Sequence, residues 1–245
     1  MRINKYIAQS GIVSRRKADE LITSGRVKVN GKVVTMLGFE IRTKDKVYVD
    51  DKLIHTPKYD YYRFYKPTGC ITTSDDEKGR KTIYDYLPKE LHHLKPVGRL
   101  DKDSSGLIIL TNDGDLIYEL THPSIKVSKV YKVAIDSKIT YEELEILAKG
   151  VEIEKGKIAY CDSEILEQNS KSTLLEITLY QGLNRQIRRM FEYLGYKVVS
   201  LKRIRHATID VIGLKRGEVK VLKPKQIKEL KQYIEKIKEE YNAWY

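Results

Sequence analysis

Several kinds of residue are scarce in this chain, and each scarcity closes a class of function. Of 245 residues only Cys70 and Cys161 are cysteine. That is too few for a disulfide framework or a cysteine-rich zinc site, and no Cys-x-x-Cys pair occurs. The five histidines are scattered without a His-x-x-x-His spacing, so no metal is expected. No apolar run approaches the length of a membrane span. Met1-Arg2-Ile3-Asn4-Lys5 is not followed by an uninterrupted apolar segment, so no secretory signal is expected. The glycine patterns of dinucleotide-binding and P-loop folds are missing, and no small-molecule cofactor is expected. A soluble, cytoplasmic, monomeric protein is the default reading.

Acidic residues are in deficit. Lys and Arg number 46 against 34 Asp and Glu, a net charge of +12. Residues 1–60 hold 13 basic and 7 acidic side chains, so half the excess sits on a quarter of the chain. A basic front segment suits a polyanion, most often nucleic acid. A lysine-rich solvated surface would give the same total.

What is present in that segment is patterned. Ile3, Tyr6 and Ile7 recur at helical spacing up to Gly11. Ser14 fits an N-cap, Ala18, Leu21 and Ile22 make an apolar stripe, and Gly25 closes the second helix. Arg26–Val34 reads as a hairpin turned by Asn30-Gly31, with a further strand near Lys46–Val49. Arg15, Arg16 and Lys17 crowd the first turn of the second helix. Cations there oppose the helix dipole by roughly 0.3–1 kcal/mol each, whereas a phosphate at that turn would reverse the sign. The run Ile3-Asn4-Lys5-Tyr6-Ile7-Ala8, Gly11–Asp19 and Gly25–Gly31 resembles the small RNA-binding domain named after ribosomal protein S-four, over about residues 1–48. The resemblance implies binding of structured RNA, with Arg15, Arg16, Lys17, Arg26 and Lys28 on its backbone. Asp50–Lys58, with Pro57, reads as the module's end and a linker, which sets the domains at 1–58 and 59–245.

The larger part mixes strands and helices without strict alternation, an α+β pattern. Helices are expected at Asp115–Leu120, after the capping box Thr140-Tyr141-Glu142-Glu143 up to Gly150, and at Arg185–Leu194 with Asn184 as its cap. Strands are expected from Tyr59–Tyr65, at Leu107–Leu110, Val130–Ile135, Leu174–Leu179, Lys197–Leu201 and Glu218–Leu222. Pro224–Tyr245 reads as an amphipathic helix whose Ile227, Leu230, Ile234 and Ile237 dock on the body.

Three stretches carry chemistry. In Gly98-Arg99-Leu100-Asp101-Lys102-Asp103-Ser104-Ser105-Gly106-Leu107, Arg99 and Asp101 project to one side of an extended segment. An arginine beside a carboxylate favours its ionised form, which a nucleophile or base requires. Asp103, Asp113 and Asp115 compete, and spacing does not rank them. In Gln181–Gly195, Ile187, Met190, Phe191 and Leu194 form one helix face, and Arg185, Arg188, Arg189 and Glu192 the other. In Lys129–Ile135, Tyr131, Val133 and Ile135 share a strand face, as core residues would.

Gly98-Arg99-Leu100-Asp101, Ser104, Gly106-Leu107 and Leu110-Thr111-Asn112-Asp113-Gly114 resemble the catalytic motif of the ribosomal pseudouridine synthases. Gln181–Gly195 resembles that family's third motif, with wording most like the large-subunit branch. The family carries threonine more often where Ser104 stands here. The resemblance implies a small N-terminal α/β RNA-binding module and a larger domain with a mixed, mainly antiparallel sheet flanked by helices. It implies Asp101 as nucleophile, Arg188 as its basic partner, Tyr131 against the uracil, and Arg99 holding the extruded uridine. Arg185 and Arg189 would face RNA, and Lys202 and Arg203, with Lys197 and Arg205, would extend the basic surface. Lys66-Pro67-Thr68-Gly69 matches a segment read as structural. The implied partner is ribosomal RNA, with transfer RNA as a further possibility; a catalytically silent ribosome-assembly factor and a paired-carboxylate hydrolase are the competing readings.

Overall fold

The computed structural model describes residues 1–55, 58–73 and 76–242. Pro57 and the final three residues of the expected tail helix lie outside the described residues. The chain divides into two compact units, residues 1–59 with 112–114 and residues 60–111 with 115–245.

In the small unit α1 spans Ile3–Gln9 and α2 Arg15–Thr23. Ser14 caps α2 by accepting from the Lys17 amide at 3.3 Å. Gly25 takes a φ of 72° beyond its end, a conformation costly to other residues. Four strands follow: β1 Val27–Val29, β2 Lys32–Val33, β3 Val47–Val49 and β4 Lys52–Ile54. They form an antiparallel sheet in the order β2-β1-β3-β4. Asn30 and Gly31 have φ of 50° and 82°, as a type I′ turn demands. Asp50 and Asp51, at 48° and 61°, turn β3 into β4 in the same region of φ. The module's end within residues 50–58 is thus a turn and a last strand, because Asp tolerates the left-handed region and builds a turn there. Ile3, Ile7, Ile22, Val27 and Val47 are fully buried and close the unit's core. Each such side chain contributes about 1.5–3 kcal/mol over its exposed state.

The remaining elements are β5 Tyr61–Lys66, β6 Lys95–Pro96, β7 Ser105–Thr111, α3 Gly114–Thr121, β8 Lys129–Ile135 and α4 Tyr141–Lys149. Then come β9 Val151–Glu154, β10 Lys157–Ala159, β11 Asp162–Gln168, β12 Thr173–Leu179, α5 Gln186–Tyr193, β13 Val198–His206, β14 Ile209–Asp210, β15 Val219–Val221 and α6 Pro224–Asn242. The main sheet runs β11-β12-β8-β13-β7-β5-β15, with β14 beside β13 and β6 beside β7. Its strands pair antiparallel except β13 with β7, which are parallel through Lys202 opposite Ser105 and Arg203 opposite Gly106. Gly106 makes that approach possible: a Cβ there would fall 2.1 Å from the Arg203 carbonyl oxygen. The architecture is the α+β fold that the pattern implied, with the mixed, mainly antiparallel sheet that the resemblance implied.

Local chemistry fixes the flanking helices. Thr140 accepts from the Glu143 amide and Glu143 accepts from the Thr140 amide at 2.9 Å, the expected reciprocal cap of α4. Leu230 and Ile234 are buried, and Lys238 pairs with Glu119 of α3, so α6 docks as its stripe predicts. Helix α5 differs from expectation at its start. Arg185, with φ 49° and ψ 32°, occupies the N-cap position, and Asn184 does not cap the helix. The β9–β10 hairpin and β11 were not anticipated. Most of β11 is exposed and polar, as an edge strand is.

Candidate active site

Asp101 lies in the loop that leads into β7, and the surrounding chain grips the backbone of that loop. Lys66, the last residue of β5, is completely buried. Its ammonium donates to the carbonyls of Pro67 at 3.0 Å, Asp101 at 2.9 Å and Ser104 at 2.8 Å. Burial lowers the Lys66 amine below the ordinary lysine value, an effect opposed by Cys70, Asp101 and Asp103. Thr72 donates its hydroxyl to the Leu100 carbonyl at 2.9 Å and accepts from the Leu100 amide at 3.2 Å. The Gly69 amide donates to the Lys102 carbonyl at 2.7 Å. The Lys66–Gly69 segment is therefore a clamp that sets where Asp101 points. Ser104 contributes its backbone; its hydroxyl is buried without a partner.

The Asp101 side chain is 37% exposed and opens into a pocket of about 660 Å³. Arg99, Lys129, Tyr131, Arg185 and Arg203 line the same pocket. An exposed arginine, a buried tyrosine ring and a partly exposed carboxylate thus share one cavity. Such a set can bind a flat polar ring, bring a carboxylate to it and stabilise negative charge.

The expected pairing of Arg188 with Asp101 is not what the structure has. Arg185 Nη1 lies 3.8 Å from Asp101 Oδ2 and 3.5 Å from Asp103 Oδ1. Arg188 Nη2 pairs with Asp103 Oδ2 at 3.1 Å, while its Nη1 donates to the Val198 carbonyl at 3.0 Å. The cause is the late start of α5: the left-handed residue 185 stands off the helix beside the loop, and residue 188 sits within the first turn, against Asp103. Arg188 therefore reaches Asp101 through Asp103 and Arg185.

Other expected contacts are also redistributed. Arg189 pairs with Glu154 at 2.7 Å. Arg203 is 2% exposed and does not extend a basic surface; it follows Leu201 at the strand's two-residue period and so turns inward. Lys202, on the opposite face of β13, borders a separate groove and lies 5.0 Å over the Tyr65 ring. In the small unit Arg15 and Arg16 are exposed and have no ion-pair partner among the described residues. Lys17 pairs with Glu20 at 2.6 Å and Lys28 with Asp51 at 2.6 Å. Arg26 makes a two-pronged contact to Asp50, which holds the Asp50 carboxyl below its ordinary range. Sequence reasoning placed Lys66 only within a segment read as structural, and it missed Thr72 and Lys129. Only Lys66 left a readable signal, because Phe64 and Lys66 share the parity of the buried face of β5.

Fold and pocket together define an RNA-modifying enzyme of known type: the chain belongs to the RNA pseudouridylate synthase family, whose family model matches residues 60–193. The S4 domain model matches residues 1–47. The chain is similar to ribosomal large subunit pseudouridine synthase B of Bacillus subtilis (strain 168), with 39% identity over 232 residues, 94% of this chain and 95% of the relative. It is also similar to dual-specificity RNA pseudouridine synthase RluF of Escherichia coli (strain K12), with 37% identity over 241 residues, 96% of this chain and 80% of the relative. A crystal structure of a pseudouridylate synthase matches with a TM-score of 0.68 and 29% identity, covering 94% of this chain and 99% of that one. The protein is thus an RNA pseudouridine synthase with an S4 RNA-binding domain, and the hydrolase reading falls away.

Proposed function

We propose that this enzyme converts a specific uridine of ribosomal RNA, with large-subunit RNA favoured, to pseudouridine, and that Asp101 is the nucleophilic carboxylate. The observation that carries the reading is the presentation of Asp101, partly exposed on a backbone clamp, into the pocket that Arg99 and Tyr131 line. The name of the Bacillus subtilis relative supports a large-subunit substrate, and that of the Escherichia coli relative supports a second RNA class such as transfer RNA.

The reaction breaks the C1′–N1 bond, turns the uracil and forms a C1′–C5 bond. The C5 proton leaves and N1 ends protonated, so substrate and product are isomers and no electrons are exchanged. The chemistry requires no cofactor. Asp101 acts on the extruded nucleotide, Arg185 balances its charge, and Arg188 holds Asp103 and, through it, Arg185. Tyr131 packs against the uracil and assists loss of the proton, and Arg99 keeps the base out of its stack. Residues 1–58 hold structured RNA, with Arg15 and Arg16 as the first contacts and Lys17, Arg26 and Lys28 exchanging their local carboxylates for phosphates. Arg189 and Lys202 contact the RNA around the catalytic unit. The enzyme acts as a monomer in the cytoplasm.

Carbodiimide mapping of pseudouridine in ribosomal and transfer RNA, from cells with and without the gene, tests this. Loss of one ribosomal site is expected and names the target. Unchanged maps for both RNA classes would end the reading.

A further inference from the structure

Two cations line the catalytic pocket, and neither has an ion-pair partner among the described residues. Arg203 is almost fully buried and lines the cavity. Its Nε donates to the Leu107 carbonyl at 2.7 Å, yet its Nη2 is buried without a partner among the described residues. Lys129 lines the same cavity, and its ammonium donates to the Val127 carbonyl at 3.1 Å. The sheet places both on one face. Arg203 is the cross-strand partner of Tyr131 and His206 that of Lys129, and the register shift between Arg203 and Arg205 lets residues three apart share a face.

The charges of the described residues around them are already engaged elsewhere or are of the same sign. Among the described residues two acids line the pocket: Asp76 pairs with Arg80 and Asp101 faces Arg185. Arg99 and Lys102 add two more cations. Burial, then Arg203 and Lys129, hold His206 well below the ordinary histidine value, so its ring is neutral at working pH. Burial and then Arg203 bring the Lys129 amine down to about 8. Two desolvated like charges raise the energy of the empty pocket, and an anion between them relieves both costs. A uracil ring is neutral and does not; a phosphodiester does.

We propose that Arg203 and Lys129 together bind one phosphate of the substrate RNA strand and thereby position the extruded nucleotide against Asp101 and Tyr131. The inference rests on the RNA-isomerase reading for the identity of the strand. Lys129 and Arg203 are positioning residues, and their readout is electrostatic.

The test uses the full-length protein and transcribed large-subunit ribosomal RNA, with binding measured across salt and between pH 6.5 and 9.5. Lys129→Met is expected to weaken binding about tenfold or more, the worth of one charge-assisted hydrogen bond. It should also reduce the slope of log affinity against log salt by about one. Lys129→Arg should restore both. Wild-type affinity should fall as pH rises above about 8, because the amine then loses the proton that holds phosphate, and Lys129→Arg should abolish that fall. Weaker binding with an unchanged salt slope would mean that Lys129 contacts a neutral base oxygen, and would overturn the proposal. Dimethyl phosphate, compared with chloride at equal ionic strength, should raise the wild-type Tm and leave that of Lys129→Met unmoved. A response to dimethyl phosphate together with unaltered RNA binding by Lys129→Met would assign the site to free phosphates and overturn the RNA proposal. The two readings separate cleanly. Wild-type protein that makes no pseudouridine, while Lys129→Met flattens the salt slope, ends the isomerase reading alone; normal turnover with an unaltered slope ends the phosphate site alone.

Discussion

Helix α2 of the small unit and helix α5 of the large unit begin alike and end up differently. Each gathers three cations at its N-terminal end, Arg15, Arg16 and Lys17 in one and Arg185, Arg188 and Arg189 in the other, where the helix dipole disfavours positive charge. At α5 every one of the three has a carboxylate partner: Asp101 and Asp103 for Arg185, Asp103 for Arg188, Glu154 for Arg189. At α2, among the described residues, only Lys17 does. Cations answered from within the fold fix the geometry of the fold. Cations left unanswered await a charge from outside it. The same sequence signal therefore marks cations paired within the fold in one unit and, at Arg15 and Arg16, exposed cations without an ion-pair partner among the described residues in the other, the pair that the proposed function assigns to RNA.

The largest effect expected from this contrast falls on the acid that α5 serves. Asp101→Asn should lower tritium release from 5-tritiated uridine RNA by at least about a thousandfold, as loss of a nucleophile does, while RNA retention on a filter persists. Turnover that survives the change would remove Asp101 from the chemistry. Next comes Arg188→Met. Its side chain is 14% exposed against 50% for Asp103, and removing it leaves the Val198 carbonyl without its donor, a loss of about 1–3 kcal/mol. Denaturant unfolding should show that loss together with reduced turnover. Arg185→Met should separate the two readouts. Its side chain is 44% exposed, so stability should change by less than about 1 kcal/mol, while turnover falls about ten- to a hundredfold as Asp101 loses its cation. Equal destabilisation by both variants would erase the distinction between them. The double variant Arg15→Gln with Arg16→Gln should leave stability alone and reduce the salt slope of RNA binding by about two. Lys17→Gln, whose partner is already inside the protein, should have the smallest effect on that slope. A slope unchanged by the double variant would return α2 to an ordinary solvated face.

Much of the scaffold was legible because its signals are local. Ser14, Thr140 with Glu143, Asn30-Gly31 and Gly150 each satisfy or bend backbone within a few residues, and all stand where their chemistry placed them. Leu107–Leu110 and Val130–Ile135 declared the central strands by apolar content. The polar edge strand β11 carried no such signal, since an exposed edge favours charge over alternation. The site was legible as a set of residue types and not as a set of contacts. Arg185 and Arg188 lie three apart on one helical face, and only the left-handed conformation of residue 185 decides which of them meets Asp101. Arg203 sits between Lys202 and Ile204 in a run that reads as solvated, and its burial depends on strands β7 and β8 beside it. Lys129 likewise becomes a pocket residue through pairing with His206 of β13, far away in the chain.

One small residue ties these pieces together. The loop bearing Asp101 and the strands bearing Tyr131, Lys129 and Arg203 belong to two antiparallel halves of the sheet, and the seam between them is the brief parallel pairing at Gly106. With a hydrogen atom as its side chain, position 106 lets the halves shut like a book; a single methyl group there would act as a wedge in the spine. Every group that must meet across the fold of that book would drift from its counterpart at once, although none of them had been altered.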